Sequence, residues 1–253
     1  MTKADQLDFL INVLSPLEAL PQTIEDKWLL FRSLVNVRPP QKIRDEFLSV
    51  QDDLLKSLTA EKGITAIDNL KPIKDSIYLW RGDITTLKVD AIVNAANSAL
   101  LGCFLPCHAC IDNTIHTFAG VQLRMECAEI MERQGHPEPT GNAKITAAYN
   151  LPCKYVLHTV GPIISGTVSD EDRRLLASCY RSCLELSAQN GVSSIAFCCI
   201  STGEFRFPKE NAAKIAIQTV LDFLKTENNR RNMKIAFNVF NEHDEQIYRR
   251  QLT

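Results

Sequence analysis

Between Gly102 and His116 the chain places three cysteines, two histidines and one aspartate within fifteen residues: Cys103, Cys107, His108, Cys110, Asp112 and His116. Thiolate and imidazole are the donors that suit Zn²⁺, and a set of three such ligands leaves a fourth position open for water or substrate. A structural site would normally close with four protein ligands. Cys107 is the candidate fourth, but it adjoins His108 and can point away. His116 lies beyond Cys110 on an expected helix, where packing is its simpler role. The cluster follows closely on Val89-Asp90-Ala91-Ile92-Val93-Asn94-Ala95-Ala96-Asn97, so metal-type ligands stand at the exit of a buried strand. That placement points to a site of chemistry on a nucleotide-like ligand.

The other cysteines read differently. The total of nine is odd and the chain shows no secretory leader, which argues against a disulfide framework. Cys198 and Cys199 lie in an apolar run and read as buried strand thiols. Cys179 and Cys183 are spaced for one face of a helix, where packing explains them.

The elements that must position the cluster can be read from periodicity. Residues 1–72 are helical in pattern. Leu7, Leu10, Ile11 and Leu14 form one apolar face, Trp28 to Val35 a second that stops at Pro39-Pro40, and Phe47, Leu48, Leu54, Leu55 and Leu58 a third over about 43–60. From about 73 onward the pattern changes to short apolar strands alternating with helices. Strands are expected at 76–80, 89–95, 142–147, 154–160, 194–198 and 233–240. Helices are expected at 110–118, 120–134, 170–189, 209–226 and 243–251. This alternation argues for a three-layer α/β/α domain (73–253) preceded by an all-α section (1–72).

Parallel strands present ligands at their carboxyl ends. Three segments have the right polarity and glycine content: Asn94 to Cys110, Thr159-Val160-Gly161-Pro162, and Ser201-Thr202-Gly203-Glu204-Phe205-Arg206-Phe207-Pro208. The last joins a buried strand to a helix, and its amides could form an anion nest for a diphosphate. Neither GxxxxGK[ST] nor GxGxxG occurs, so a P-loop NTPase or a Rossmann dehydrogenase lacks its fingerprint. The net charge of -2 and the absence of an aromatic-basic face give no support to nucleic-acid binding. No apolar run approaches membrane-spanning length, so a cytoplasmic protein with no membrane role is expected.

These residues together resemble the macrodomain family. The matching stretches are Trp80-Arg81-Gly82-Asp83-Ile84-Thr85, Val89 to Asn97, Ile111-Asp112-Asn113-Thr114-Ile115-His116, Gly120, Gly141-Asn142-Ala143, Tyr155-Val156-Leu157-His158-Thr159-Val160-Gly161-Pro162 and Ser201-Thr202-Gly203. They span about residues 75–250. The resemblance implies a mixed central sheet between helices and an ADP-ribose ligand. Many members of the family hydrolyse ADP-ribose from proteins. Where hydrolytic macrodomains usually run a glycine string, this chain has Cys103-Phe104-Leu105-Pro106-Cys107-His108-Ala109-Cys110. That departure resembles the zinc-dependent microbial macrodomains, which carry an N-terminal helical extension. In bacteria they are linked to operons with a sirtuin-type ADP-ribosyltransferase and a lipoylated carrier protein, which become expected partners.

The resemblance assigns Cys103, His108 and Cys110 as ligands of one Zn²⁺ per chain. It gives Asp83 the adenine amino group, for which a carboxylate is a suitable acceptor, and gives Ile84 a neighbouring amide. Asp83 could equally open a turn as an N-cap. Phe240 is expected to stack on adenine or to join the core. Asn97 is assigned to the distal ribose, while Asn94 is read as ordering the loop. Ser201, Thr202, Gly203, Glu204 and Phe205 should wrap the diphosphate through backbone amides, with the Glu204 side chain turned away from the phosphates. Asp112 matches the active-site aspartate, although a carboxylate is also favoured by the dipole at a helix start. The expected activity is zinc-dependent removal of mono-ADP-ribose from protein side chains, most plausibly Asp- or Glu-linked, with Asp112 and Asn97 as catalytic residues. The alternatives are a non-catalytic ADP-ribose-binding module with structural zinc, and cleavage of O-acetyl-ADP-ribose.

Overall fold

A computed structural model of the chain describes residues 1–226 and 233–253. Eight helices are present among them: α1 (Lys3–Leu14), α2 (Ile24–Val37), α3 (Asp45–Lys62), α4 (Ile111–Ala119), α5 (Val121–Gln134), α6 (Asp170–Gln189), α7 (Lys209–Lys225) and α8 (Glu242–Leu252). The strands are β1 (Thr65–Ala66), β2 (Ile77–Arg81), β3 (Leu87–Lys88), β4 (Ala91–Ala96), β5 (Ala143–Ala147), β6 (Tyr155–Val160), β7 (Ser194–Phe197) and β8 (Lys234–Val239). Every strand and helix expected from periodicity is found, with ends displaced by a residue or two. The 64–67 connector contributes β1, which pairs in parallel with β3 as a separate two-stranded piece.

Six strands form the central sheet in the order β2-β8-β7-β4-β6-β5. All pairs are parallel except β5 with β6, so the sheet is mixed through one edge strand. The central strands are buried on both faces, as parallel strands covered by helices must be. Helices α6, α7 and α8 pack as neighbours on one face, while α4 and α5 lie against β4 and β5. The result is the three-layer arrangement.

The parallel alignment places five strand exits along one rim. They are Gly82-Asp83 after β2, Phe240-Asn241 after β8, residues 198–208 after β7, residues 97–110 after β4 and Gly161 onward after β6. All the residues expected to hold ligand or metal therefore emerge together, although Asp83 and Phe240 are 157 positions apart.

The N-terminal helices build their own apolar cluster from Leu7, Leu10, Ile11, Phe31, Val35, Phe47, Leu54 and Leu55. Val121 of α5 inserts into it, and Trp28 and Leu58 touch both this cluster and the main core. Polar contacts complete the seam. Gln51 Oε1 accepts from the Val121 amide at 3.1 Å, and Asp52 Oδ1 accepts from Gln122 and Asn150 side chains at 2.8 and 2.7 Å. No helix among the described residues is long and apolar enough to cross a membrane.

Candidate active site and metal centre

The metal-type cluster converges. One ligand atom from each of Cys103, His108 and Cys110 lies within 4.8 Å of the others, and all three residues are half-buried. His108 presents Nδ1 to Cys103 Sγ at 3.5 Å. Cys107 is left out. Its backbone has φ of +53°, and its thiol turns to the N-terminal helices, donating to the Leu29 carbonyl at 3.4 Å. Cys110 is the N-cap of α4, and its sulfur accepts the Asn113 amide at 3.4 Å. Burial pushes the Cys110 thiol up to about 11, the Asn113 N–H opposing this and the Cys103 and Asp112 charges adding to it. Two thiols and one imidazole on a half-buried rim form a donor set that Zn²⁺ fits, and binding would displace the thiol protons. All nine cysteines are free thiols. Cys179, Cys183 and Cys198 are buried as expected, and Cys199 is half-buried.

Asp112 stands directly behind this loop, at the start of α4, and is only 5 % exposed. Asn94 Nδ2 donates to its Oδ1 at 2.8 Å, and Asn97 Nδ2 approaches Oδ2 at 3.4 Å. Burial raises its carboxyl to about 6, with the Asn94 bond and the Arg124 charge opposing. The loop-ordering bonds expected of Asn94 are made by Asn97. Asn97 orders the loop, donating to the Gly102 carbonyl at 3.1 Å and accepting from the Ala99 amide at 3.0 Å. Asn94 is fully buried, and among the described residues its side chain makes no hydrogen bond to loop backbone. It holds Asp112 on one side and meets His158 Nδ1 at 3.2 Å on the other. Strand register is the reason, because β4 and β6 set Asn94 opposite His158.

A second group of potential ligands, His116, Cys127 and His158, is buried beneath Asp112, also with ligand atoms within 4.8 Å of one another. His158 is engaged at both nitrogens, by Asn94 and by Thr146 Oγ1 at 3.0 Å. Burial pushes it down to about 4 and holds His116 well below its ordinary value, so both rings are neutral near pH 7. His116 Nε2 lies 3.6 Å from Asp112 Oδ1.

The Ser201–Phe205 loop folds on itself. Thr202 N donates to Cys199 O at 3.3 Å, Arg206 N to Gly203 O at 3.0 Å and Phe207 N to Ser201 O at 2.9 Å. The amides of Gly203, Glu204 and Phe205 have no acceptor among the described residues, as an anion nest requires. Gly161 closes against this loop. A Cβ there would lie 1.9 Å from Ser201 Oγ, so only glycine permits the approach. The Glu204 side chain is 73 % exposed and leans over the metal loop, with Oε1 3.7 Å from His108 Nε2.

At the far end of the rim Asp83 caps a short turn over Ile84–Thr86. Its Oδ1 accepts from the Thr85 amide at 3.0 Å and the Thr85 hydroxyl at 2.6 Å, and its Oδ2 pairs with Lys62 at 2.8 Å. Burial works to raise the Asp83 carboxyl, but the Lys62 and Thr85 bonds outweigh it and hold it below the usual range. The N-cap reading is therefore what the geometry shows, with carboxylate lone pairs to spare. Ile84 is buried. Phe240 is 79 % exposed at the end of β8, so it is not part of the core.

The Macro domain family model matches residues 93–216. A protein-ADP-ribose hydrolase of Treponema medium is 61 % identical over 238 residues, covering 92 % of this chain and 90 % of the relative. The chain belongs to the macrodomain family. Solved macrodomains agree in fold. That of Trypanosoma brucei in complex with ADP-ribose is 31 % identical with a TM-score of 0.68, covering 88 % of this chain and 95 % of that one. That of Oceanobacillus iheyensis with ADP is 39 % identical with a TM-score of 0.64, covering 72 % of this chain and 93 % of that one.

This macrodomain also uses residues that sequence reasoning passed over. Arg32 and Asn36 of α2 reach the metal loop, Asn113 spans it from α4, and His158 backs Asn94. Asn113 and His158 lie within the matching stretches without a part read for them, and Arg32 and Asn36 carry no local signal. Arg32 is an arginine on an amphipathic helix 76 positions before His108, and nothing in its neighbours announces its partner.

Proposed function

We propose that this macrodomain is a zinc-dependent protein-ADP-ribose hydrolase that removes mono-ADP-ribose from Asp- or Glu-linked sites. One observation carries the reading: the half-buried Cys103/His108/Cys110 set opens beside a buried carboxylate, Asp112, on the rim where the anion loop also emerges. Relatives of near-equal length that bear the hydrolase name support it. Asp83, Ile84 and Phe240 receive the adenine. The Ser201–Phe205 amides hold the diphosphate, and Asn97 with Asp112 meets the distal ribose. Residues 1–72 act as an extension to a catalytic unit at 73–253.

Cys103, His108 and Cys110 would hold the zinc. When bound, the ion would supply Lewis acidity, either to a water or to a ribose or leaving-group oxygen. The protein residues do the rest. Asp112 orients the attacking water and takes its proton at a carboxylate oxygen. Asn94 keeps that carboxylate aimed, and Asn97 holds the loop and the ribose hydroxyls. Water adds at C1″ as the bond to the side-chain carboxylate breaks, releasing ADP-ribose and the unmodified acid. Reduced thiols suit a cytoplasmic setting.

The test is turnover of defined mono-ADP-ribosylated proteins, with and without chelator, including a modified lipoylated carrier protein as the partner suggested by resemblance. Loss of product on chelation and recovery with added Zn²⁺ is expected. Full turnover by a metal-free chain would refute the zinc role, and binding without release would make the domain a reader.

A further inference from the structure

We infer that Arg32 and Asn36 on α2 are positioning residues of the metal centre, so that the N-terminal extension is a working part of the site. The inference rests on Cys103, His108 and Cys110 being the metal ligands. Between Cys103 and Cys110 the ligand loop has no helix or strand, only one turn closed by His108 N donating to the Leu105 carbonyl at 3.3 Å, and a loop of this kind samples many conformers unless it is tied further. Most of the remaining ties come from outside it. Arg32 Nη2 donates to the His108 carbonyl at 2.9 Å and to Asn113 Oδ1 at 2.9 Å. Asn113 Nδ2 in turn donates to the Leu105 carbonyl at 3.0 Å and the Cys103 carbonyl at 3.5 Å. Asn36 Oδ1 accepts the Cys107 amide at 2.9 Å, and its Nδ2 donates to Thr117 Oγ1 at 3.0 Å. Backbone groups of residues 103, 105, 107 and 108 are thus pinned through two side chains of α2 and one of α4.

The chemistry of the ties fits the task. A guanidinium presents a planar fork whose single nitrogen here serves two acceptors, and a charged donor gives a stronger bond to a carbonyl than a neutral one. The peptide it grips follows His108 and lies between two ligands, so it sets the reach from the imidazole to Cys110. Asn36 is 1 % exposed and holds the amide of Cys107, whose φ of +53° is that of the third residue of the Leu105–His108 turn. That conformation turns the Cys107 thiol away and keeps the ligand set at three, which leaves one position open. Among the described residues Arg32 makes no hydrogen bond to a ligand side chain. Its effect is through the loop backbone, as residues outside the ligand sphere commonly tune metal affinity.

The full chain is the test material. Zn²⁺ affinity is read by competition with a chromophoric chelator, and ligand geometry by the thiolate-to-metal and d–d bands of the Co²⁺-loaded protein. Arg32→Ala and Asn36→Ala are expected to weaken Zn²⁺ binding by roughly 10- to 100-fold. The Co²⁺ bands should shift or broaden, while the metal-free melting profile stays cooperative. Arg32→Lys keeps the charge without the fork and should recover part of the affinity, which a packing role would not require. Should Arg32→Ala not fold, Arg32→Lys and Asn113→Ala carry the same measurement. Wild-type affinity and unchanged Co²⁺ bands in these variants would overturn the inference while leaving the ligand set intact. A wild-type chain that takes up no metal, or whose affinity is untouched by Cys103→Ser, would overturn the ligand assignment itself and this inference with it.

Discussion

Replacing Asn94 with alanine tests whether the buried polar chain behind Asp112 is what the geometry says it is. Asn94 is fully buried, with Nδ2 bonded to Asp112 Oδ1 at 2.8 Å and facing His158 Nδ1 at 3.2 Å. Its own Oδ1 has no hydrogen-bond partner among the described residues. Truncation removes a hydrogen bond to a carboxylate, worth about 1.5–3 kcal/mol, and leaves a buried ring nitrogen unsatisfied at about 1–3 kcal/mol. Deleting the orphaned Oδ1 returns roughly 1–2 kcal/mol of this. The net is a loss of about 2–4 kcal/mol, which for a chain of this size lowers the melting temperature by roughly 5–15 °C. Turnover should fall further than stability alone explains. Asp112 loses its aim while the anion loop and adenine end are untouched, so kcat drops with little change in KM. Urea unfolding and steady-state kinetics on the folded variant check both. If Asn94→Ala melts within a degree of wild type and keeps its kcat, the chain from His158 through Asn94 to Asp112 does not position the carboxylate. Asn97→Ala makes the contrast. Asn97 is half-buried and bonded to loop backbone, so its loss should cost less stability and raise KM.

Three further outcomes follow from other parts of the molecule. Cys110→Ser should lose most of its metal affinity in a chelator competition while the metal-free form melts no lower than metal-free wild type, because serine is a good N-cap for α4; a lower metal-free melting point would contradict the capping role. Phe240→Ala should leave stability within about 0.5 kcal/mol, since the ring is 79 % exposed, yet weaken ADP-ribose binding by about tenfold if the ring stacks on adenine, as calorimetry would read. Asp90 accepts from Ser193 and Ser194 amides at 2.9 and 3.1 Å and pairs with Lys154 at 2.9 Å. Burial opposes but the Lys154 and Ser193 bonds prevail, lowering its carboxyl to about 2. Its stabilisation is present at neutral pH and is lost as pH falls from about 4 towards 2. Asp90→Asn should be about 1–2 kcal/mol less stable at pH 7, after discounting for solvent, and the gap should close over that window. A gap that is constant with pH would assign the effect to packing.

Much of this protein is local in origin and therefore legible along the chain. Apolar periodicity set the helices and strands, because a helix and a strand bury different repeats. The ligand types within residues 103–110 announced a metal site, because thiols and an imidazole so close in sequence can meet whatever the rest of the fold does. The tertiary structure decided which side chains those local features meet. It excluded Cys107 through one backbone angle and a partner on α2. It gave the loop-ordering bonds to Asn97 and, through the register of β4 against β6, set Asn94 beside His158 and against Asp112 of α4. It paired Asp83 with Lys62 of α3, leaned Glu204 over His108, and brought Arg32 across 76 positions to the loop it holds. Hydrogen bonds between distant elements leave no periodic trace in a sequence, since each depends on where two separately formed elements come to rest against each other.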